Sequence, residues 1–246
     1  VARPWRRAPA RPAEDPTARP RTALELVDVG HSYGERTVLR DVSLVLGEHR
    51  VGVVGSNGSG KSTFARLLNG LVQPTTGRVL VDGLDTATDL RAVRRRVGFV
   101  FQDPDAQIVH PTVAEDVAFG LHNQRVPAAE RAERVAEVLD RYGLAGHADH
   151  PAHLLSGGQK QLLAIAGVLV MRPARVVFDE PTTLLDLANR RRVAQVIGEL
   201  EQDVVVVTHD LDLLTGFDRV LVVEDGRVVA DGAPEETVGW YVARMS

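Results

Sequence analysis

The chain has 246 residues, no cysteine, 29 Lys and Arg against 33 Asp and Glu, and a formal charge of −4. That composition excludes disulfides, cysteine-ligated zinc and thiol catalysis, and it offers no general electrostatic attraction for nucleic acid. With 44% hydrophobic residues the chain can bury a sizeable core, as one large domain or as a domain with a subdomain, yet no run approaches 18 apolar residues and no membrane span is expected.

Residues 1–20, VARPWRRAPARPAEDPTARP, hold five prolines and five arginines with no apolar period, so residues 1–21 are read as a disordered tail. They lack the apolar stretch of a signal peptide, and Glu14 and Asp15 dilute any electrostatic tether to acidic lipid. From Leu24 the pattern is strand-like. ALELVDV and TVLRDVSLVL alternate apolar and polar residues around a Tyr33-Gly34-Glu35 turn. VGVV (51–54) is apolar throughout, as a strand covered on both faces should be, and GRVLVDGLD (77–85) is a short strand ending in Asp82-Gly83.

AERAERVAEVLDRYGL (129–144) has helical spacing, with Val135, Val138, Leu139 and Tyr142 on one face. SGGQKQLLAIAGVLV (156–170) reads as a helix opened by a serine. VVF (176–178) is the next strand, with Arg175 read as its exposed first residue. A charged helix from about Asp186 to Leu200 follows, then VVVV (204–207). RVLVVEDGRVVADG (219–232) predicts two strands around an Asp225-Gly226 hairpin turn. Buried strands alternating with helices predict an α/β fold with a mostly parallel sheet. The strand-poor stretch at about 103–170 is read as an inserted helical subdomain.

Two segments carry chemistry. Gly55-Ser56-Asn57-Gly58-Ser59-Gly60-Lys61-Ser62 fits G-x-x-x-x-G-K-[ST], between strand and helix as that motif requires. Glycines let successive N–H groups point inward without Cβ interference, making an anion nest at a helix N-terminus. Lys61 then reaches the β- and γ-phosphates, the Ser62 hydroxyl ligates Mg²⁺, and Thr63 supports the phosphates from the first helical turn. An ordinary Gly-rich turn is the alternative, disfavoured by the flanks. VVFDE (176–180) adds Asp179, for Mg²⁺ through water, and Glu180, to polarise an attacking water. Two acids ending a strand are weak alone and strong beside a phosphate loop.

LSGGQ (155–159) narrows the class. The order Tyr33, GSNGSGKST, Gln102, LSGGQ, VVFDE, Asp186, His209 resembles the ATP-binding-cassette ATPases over essentially all of residues 22–246. The resemblance implies a P-loop NTPase with a mostly parallel core sheet, an antiparallel β subdomain and the helical insert. It implies Tyr33 stacking on adenine and Gln102 contacting Mg²⁺ and the lytic water. Ser156, Gly158 and Gln159 would bind the γ-phosphate of an ATP held by a second subunit, Asp186 would cross the dimer interface, and His209 would hold the γ-phosphate and orient Glu180. ATP and Mg²⁺ are the implied cofactors. The implied partners are a second ATPase subunit, with a homodimer favoured, and membrane subunits at the cytoplasmic face; nucleic acid is not among them.

FVFQDPDAQIVHPTVAEDVAFGL (99–121) looks like the ATPases of energy-coupling-factor importers, which add a transmembrane energy-coupling subunit and a substrate-binding membrane subunit. LSGGQKQLLAIAGVLVMRP and DEPTTLLDLANRRRV are similar to the biotin-transport members, and cobalt, nickel or another vitamin is the alternative cargo. Leu162 and Leu184 depart from the wider family, which has an arginine and a small residue there. A soluble, non-transport ATPase of the same family is the more distant alternative. HADHPAH (147–153) spaces His147, His150 and His153 three apart, but Pro151 interrupts any shared helical face, so a solvated linker is preferred to a metal site.

Overall fold

A computed structural model describes residues 23–245; the Arg- and Pro-rich tail lies outside the described residues. The elements in chain order begin with β1 (Leu24–Tyr33), β2 (Arg36–Leu46), β3 (Arg50–Val54), α1 (Lys61–Leu67), β4 (Thr76–Val81), β5 (Leu84–Asp85), α2 (Leu90–Arg96) and β6 (Val97–Val100). Then follow α3 (Val113–Asn123), α4 (Ala128–Arg141), α5 (Gly157–Leu169), β7 (Arg175–Asp179) and α6 (Leu187–Gly198). The last are β8 (Asp203–Val207), β9 (Arg219–Glu224), β10 (Arg227–Gly232) and α7 (Pro234–Met245). The described residues form two compact units, one of 23–97, 174–177 and 201–245, the other of 98–173 and 178–200.

The first unit holds an antiparallel sheet in the order β2-β1-β4-β5 and a second sheet running β10-β9-β3-β8-β7. In the second sheet β3 is parallel to both β8 and β9, and β9 turns antiparallel into β10. Val51, Val53, Val54 and Val204 to Val207 have no exposed surface. Valine suits a strand packed on both faces because its branched Cβ loses little rotamer freedom there and fills both layers. Asp225 and Gly226 both have positive φ, 48° and 76°, which is the backbone a two-residue hairpin demands.

The second unit takes the last two residues of β7, residues 98–100 of β6, the strand that neighbours it in the sheet order, and helices α3 to α6. α3, which the sequence reading did not delimit, buries Val113, Val117 and Leu121 four residues apart and opens on a reciprocal cap between Thr112 and Glu115. α2 and α7 were also not read. Each buries a single side chain, Val93 or Thr237, so neither has an apolar stripe to show in the sequence.

Arg175 corrects an expectation. It is not an exposed strand start but has 0% exposure. Its Nη2 donates to Asp203 Oδ2 at 3.1 Å and to the Glu48 carbonyl at 3.3 Å. Burial pulls the guanidinium pKa down, and Asp203 opposes that pull. Asp203 opens β8, the strand beside β7, so the arginine meets its counter-charge where both strands begin. Its other oxygen, Oδ1, lies 3.1 Å from His49 Nδ1. Close by in the chain, Glu48 accepts from Arg219 at 3.2 Å, and Arg219 forks onto Asp231 with two contacts of 2.6 Å.

Removing one partner of a buried ion pair strands the other charge. Asp203→Asn should therefore cost about 3–5 kcal/mol in urea unfolding. The double variant Arg175→Met, Asp203→Leu should lose much less, because no charge stays buried.

Glu48 makes stability depend on acid. Burial alone would raise its carboxyl, but Arg219 and the backbone N–H groups of Glu48 and Gly47 outweigh it and hold the carboxyl below its ordinary value. The folded state thus binds this proton less readily than the unfolded chain. The stabilisation is present above the ordinary carboxylate pKa and is lost as pH falls through the lower folded value. Glu48→Gln should lower the urea midpoint at neutral pH and narrow the gap to wild type in acid.

Candidate functional site

In the first unit, the chain must leave β3 through a space that admits no side chain. Gly55 has φ of 151°, and a Cβ there would lie 2.1 Å from the Val223 carbonyl oxygen. Residues 56–58 are exposed, whereas Ser59, Gly60 and Lys61 are buried. Lys61, only 6% exposed, donates from Nζ to the carbonyls of Gly55 at 2.8 Å and Ser56 at 3.0 Å. The ammonium thus holds together the two carbonyls that begin the loop. The hairpin tip supports the loop from outside, with Gly226 N–H donating to Ser59 O at 3.0 Å. Ser62 is half-buried and Thr63 buried in the first turn of α1.

Strand register brings a second predicted residue to the same end of this sheet. Val53 pairs with Val207, and Thr208 N–H donates to Val53 O at 3.0 Å. His209 follows directly and is exposed, so it leaves β8 beside the point where the loop leaves β3. Tyr33 ends β1, half-exposed, with its ring edge-on to His31 at 4.5 Å.

In the second unit, β7 ends on Asp179, which is 1% exposed. Glu180 then adopts φ of 52°, a left-handed backbone that costs a glutamate roughly 1–3 kcal/mol. Its Oε2 accepts from Thr183 Oγ1 at 3.2 Å. Gln102 is exposed just after β6. Gln107, quoted in the sequence only within the 99–121 stretch, has a clear task. Its Oε1 accepts from Phe101 N–H at 3.1 Å and its Nε2 donates to Ala164 O at 2.8 Å, tying the loop around Gln102 to α5. No strand or helix period could have flagged it.

Ser156 and Gln159 form a reciprocal cap on α5. Ser156 Oγ accepts from Gln159 N–H at 3.3 Å and Gln159 Oε1 accepts from Ser156 N–H at 2.9 Å. Gly158 is required by packing: a Cβ would lie 2.0 Å from Asn189 Oδ1. Asn189 is itself fixed by Asp186, whose oxygens accept from its N–H at 2.8 Å and its Nδ2 at 3.0 Å. Ser156, Gly158 and Asp186 are therefore held as one piece. His150 and His153 are exposed, and the His147 and His150 rings meet edge-on at 5.1 Å.

The ABC transporter family matches residues 39–183. A putative ABC transporter ATP-binding protein of Deinococcus radiodurans is 65% identical over 223 residues, 91% of this chain and 99% of that one. The biotin transport ATP-binding protein BioM of Rhizobium etli is 47% identical over 218 residues, 89% of this chain and 97% of its own. Among solved structures, CbiO1 of Clostridium perfringens, part of the ABC transporter complex CbiONQ, aligns with a TM-score of 0.79 at 33% identity, covering 92% and 94%. A dimeric ATP-binding cassette bound to ADP and phosphate aligns at 0.76 and 32% identity, covering 86% and 98%. The chain belongs to the ATP-binding-cassette ATPases, among the ATP-binding subunits of energy-coupling-factor transporters.

The contact at Gly158 can be tested without nucleotide. Gly158→Ala should cost about 1–3 kcal/mol in thermal or urea unfolding, the range for forcing a methyl group into packed structure. Adding Asn189→Ala should return most of that loss, since it removes the atom the methyl group meets.

Proposed function

We propose that the chain works as one of two identical ATPase subunits that close on ATP and power a biotin importer. The observation that carries this reading is the cap of Ser156 by Gln159 at the start of α5. It spends Gln159 inside its own chain and leaves exposed Ser156 and the α5 N-terminus for a ligand outside it. A helix N-terminus favours phosphate, and an identical subunit carries the phosphate loop. Leu184 and Leu187, 68% and 61% exposed beside Asp186, supply apolar surface for such a partner.

Each residue then has a role. Loop N–H groups of residues 55–60 and Lys61 hold the β- and γ-phosphates, with Thr63 behind them. Tyr33 stacks on adenine. Ser62, Gln102 and, through water, Asp179 offer the hard oxygen donors that Mg²⁺ takes. Bound there, Mg²⁺ neutralises charge on the phosphoryl oxygens. Glu180 polarises the attacking water. His209 holds the γ-phosphate and orients Glu180. Ser156 and Gly158 serve the ATP of the other subunit, Gln159 acting through its cap, and Asp186 crosses the interface.

No helix among the described residues is long and apolar enough to cross a membrane. Transport then needs a transmembrane energy-coupling subunit and a substrate-binding subunit, with this chain peripheral on the cytoplasmic face. Biotin is favoured by the likeness to BioM and by Leu162-Leu163 and Thr182 to Leu187. Leu162 and Leu163 are core residues of the second unit, so they mark kinship and touch no cargo.

Cells carrying this chain with its membrane subunits should take up labelled biotin at nanomolar concentration. Lys61→Ala should abolish uptake through weak ATP binding. Glu180→Gln should keep ATP binding while slowing hydrolysis about 100-fold or more. Near-normal turnover of Glu180→Gln would remove that residue from its role. Uptake of cobalt or nickel with biotin uptake unchanged would overturn the cargo.

A further inference from the structure

Gln159 has one carboxamide oxygen, and that atom is spoken for. Oε1 accepts from Ser156 N–H at 2.9 Å, which turns Nε2 the other way, to 3.1 Å from His147 Nε2. A carboxamide nitrogen only donates, so His147 Nε2 must accept. The ring is then neutral, with its proton on Nδ1. Nδ1 is buried and has no hydrogen-bond partner, so the Gln159 contact is what orients the ring. The backbone beneath is fixed: His147 N–H donates to Leu144 O and His150 N–H donates to His147 O, both at 2.9 Å.

We infer that His147 is a positioning residue for the segment 156–159, holding the Gln159 carboxamide in the one orientation that caps Ser156. This rests on the proposal that Ser156 and the α5 N-terminus serve the ATP of a second subunit. A doubly protonated ring presents N–H where an acceptor is needed. It claims Oε1, the atom already used by Ser156 N–H. Oε1 has a second lone pair, but as placed it faces Ser156 N–H while Nε2 faces the ring, so the carboxamide cannot serve both donors without turning. Either it turns over and the cap is lost, or two donors face each other at 3.1 Å.

The surrounding charges do not remove that conflict. The His150 ring stands 5.1 Å away, with Asp149 beside it. α3 packs on this segment through Ala114 N–H to Ala148 O at 2.9 Å, but Glu115 Oε2 is taken by Thr112 and Asp116 Oδ1 by the N–H groups of Val109 and His110. On α5, Lys160 is paired with Asp105 at 2.7 Å. The end of α4 adds Asp140 and Arg141, one of each sign.

The test is ATP turnover by the assembled transporter from about pH 5.5 to 8.5, spanning the ordinary histidine range. His147→Ala should lower kcat about tenfold at pH 8, the loss of one buried hydrogen-bond partner, with KM for ATP within about twofold because the phosphate loop is untouched. His147→Gln keeps an acceptor oxygen that does not titrate. It should restore kcat to within about twofold and lose less turnover in acid than wild type does. Nitrogen-15 spectra of the full chain should show His147 neutral at pH 8 with the proton on Nδ1, a readout that also serves if the alanine variant fails to fold. A proton on Nε2 at pH 8, or equal acid loss in wild type and His147→Gln, overturns the inference. So does a normal kcat for His147→Ala in a background where Ser156→Arg abolishes turnover. If Ser156→Arg also turns over normally, the two-subunit reading fails first and the role of His147 falls with it.

Discussion

At Gly55 the backbone leaves a fully buried strand and passes the Val223 carbonyl at a distance no Cβ could tolerate. A positive φ of this kind is cheap only for glycine, and six residues later Lys61 donates back to the carbonyls of Gly55 and Ser56. Neighbouring elements of the first unit hold the loop on both sides. The valines of β3 and β8 fix its base through parallel register, and the β9–β10 hairpin holds its outer side through Gly226. The loop keeps its shape because rigid strands surround a segment that has little side-chain bulk of its own.

The second unit uses a different device. Its exposed polar residues are held by short reciprocal hydrogen bonds. Ser156 and Gln159 cap each other, Gln159 reaches His147, and Asp186 fixes Asn189 against the bare α carbon of Gly158. Such a chain of contacts ties Ser156, Gly158 and Asp186 to one another, so that none of them adjusts separately.

Charge is distributed by the same economy of burial. Arg175 and Asp203 are buried where β7 and β8 begin, while the residues singled out in the sequence follow the strand ends at Val54, Val207 and Asp179. A buried pair adds little net stability over apolar packing, yet losing either partner is costly.

The sequence alone showed the strand and helix alternation, the glycine-rich motif at 55–62, the two acids that end β7 and the 155–159 segment, because each is a local pattern of adjacent residues. The valine runs were legible for the same reason: both neighbours along the chain are apolar, whichever strand lies alongside. Only the tertiary structure decided the fate of Arg175, since its counter-charge stands 28 residues later on a neighbouring strand. It likewise decided the task of Gln107, which holds Ala164 from 57 residues away, and the link from Gln159 to His147, 12 residues back through two turns. Helices α2 and α7, with one buried side chain each, leave no apolar period for a sequence to display. Periodicity reports how a segment meets its core; a single polar contact between distant segments has no period, and becomes visible only when folding brings its two ends together.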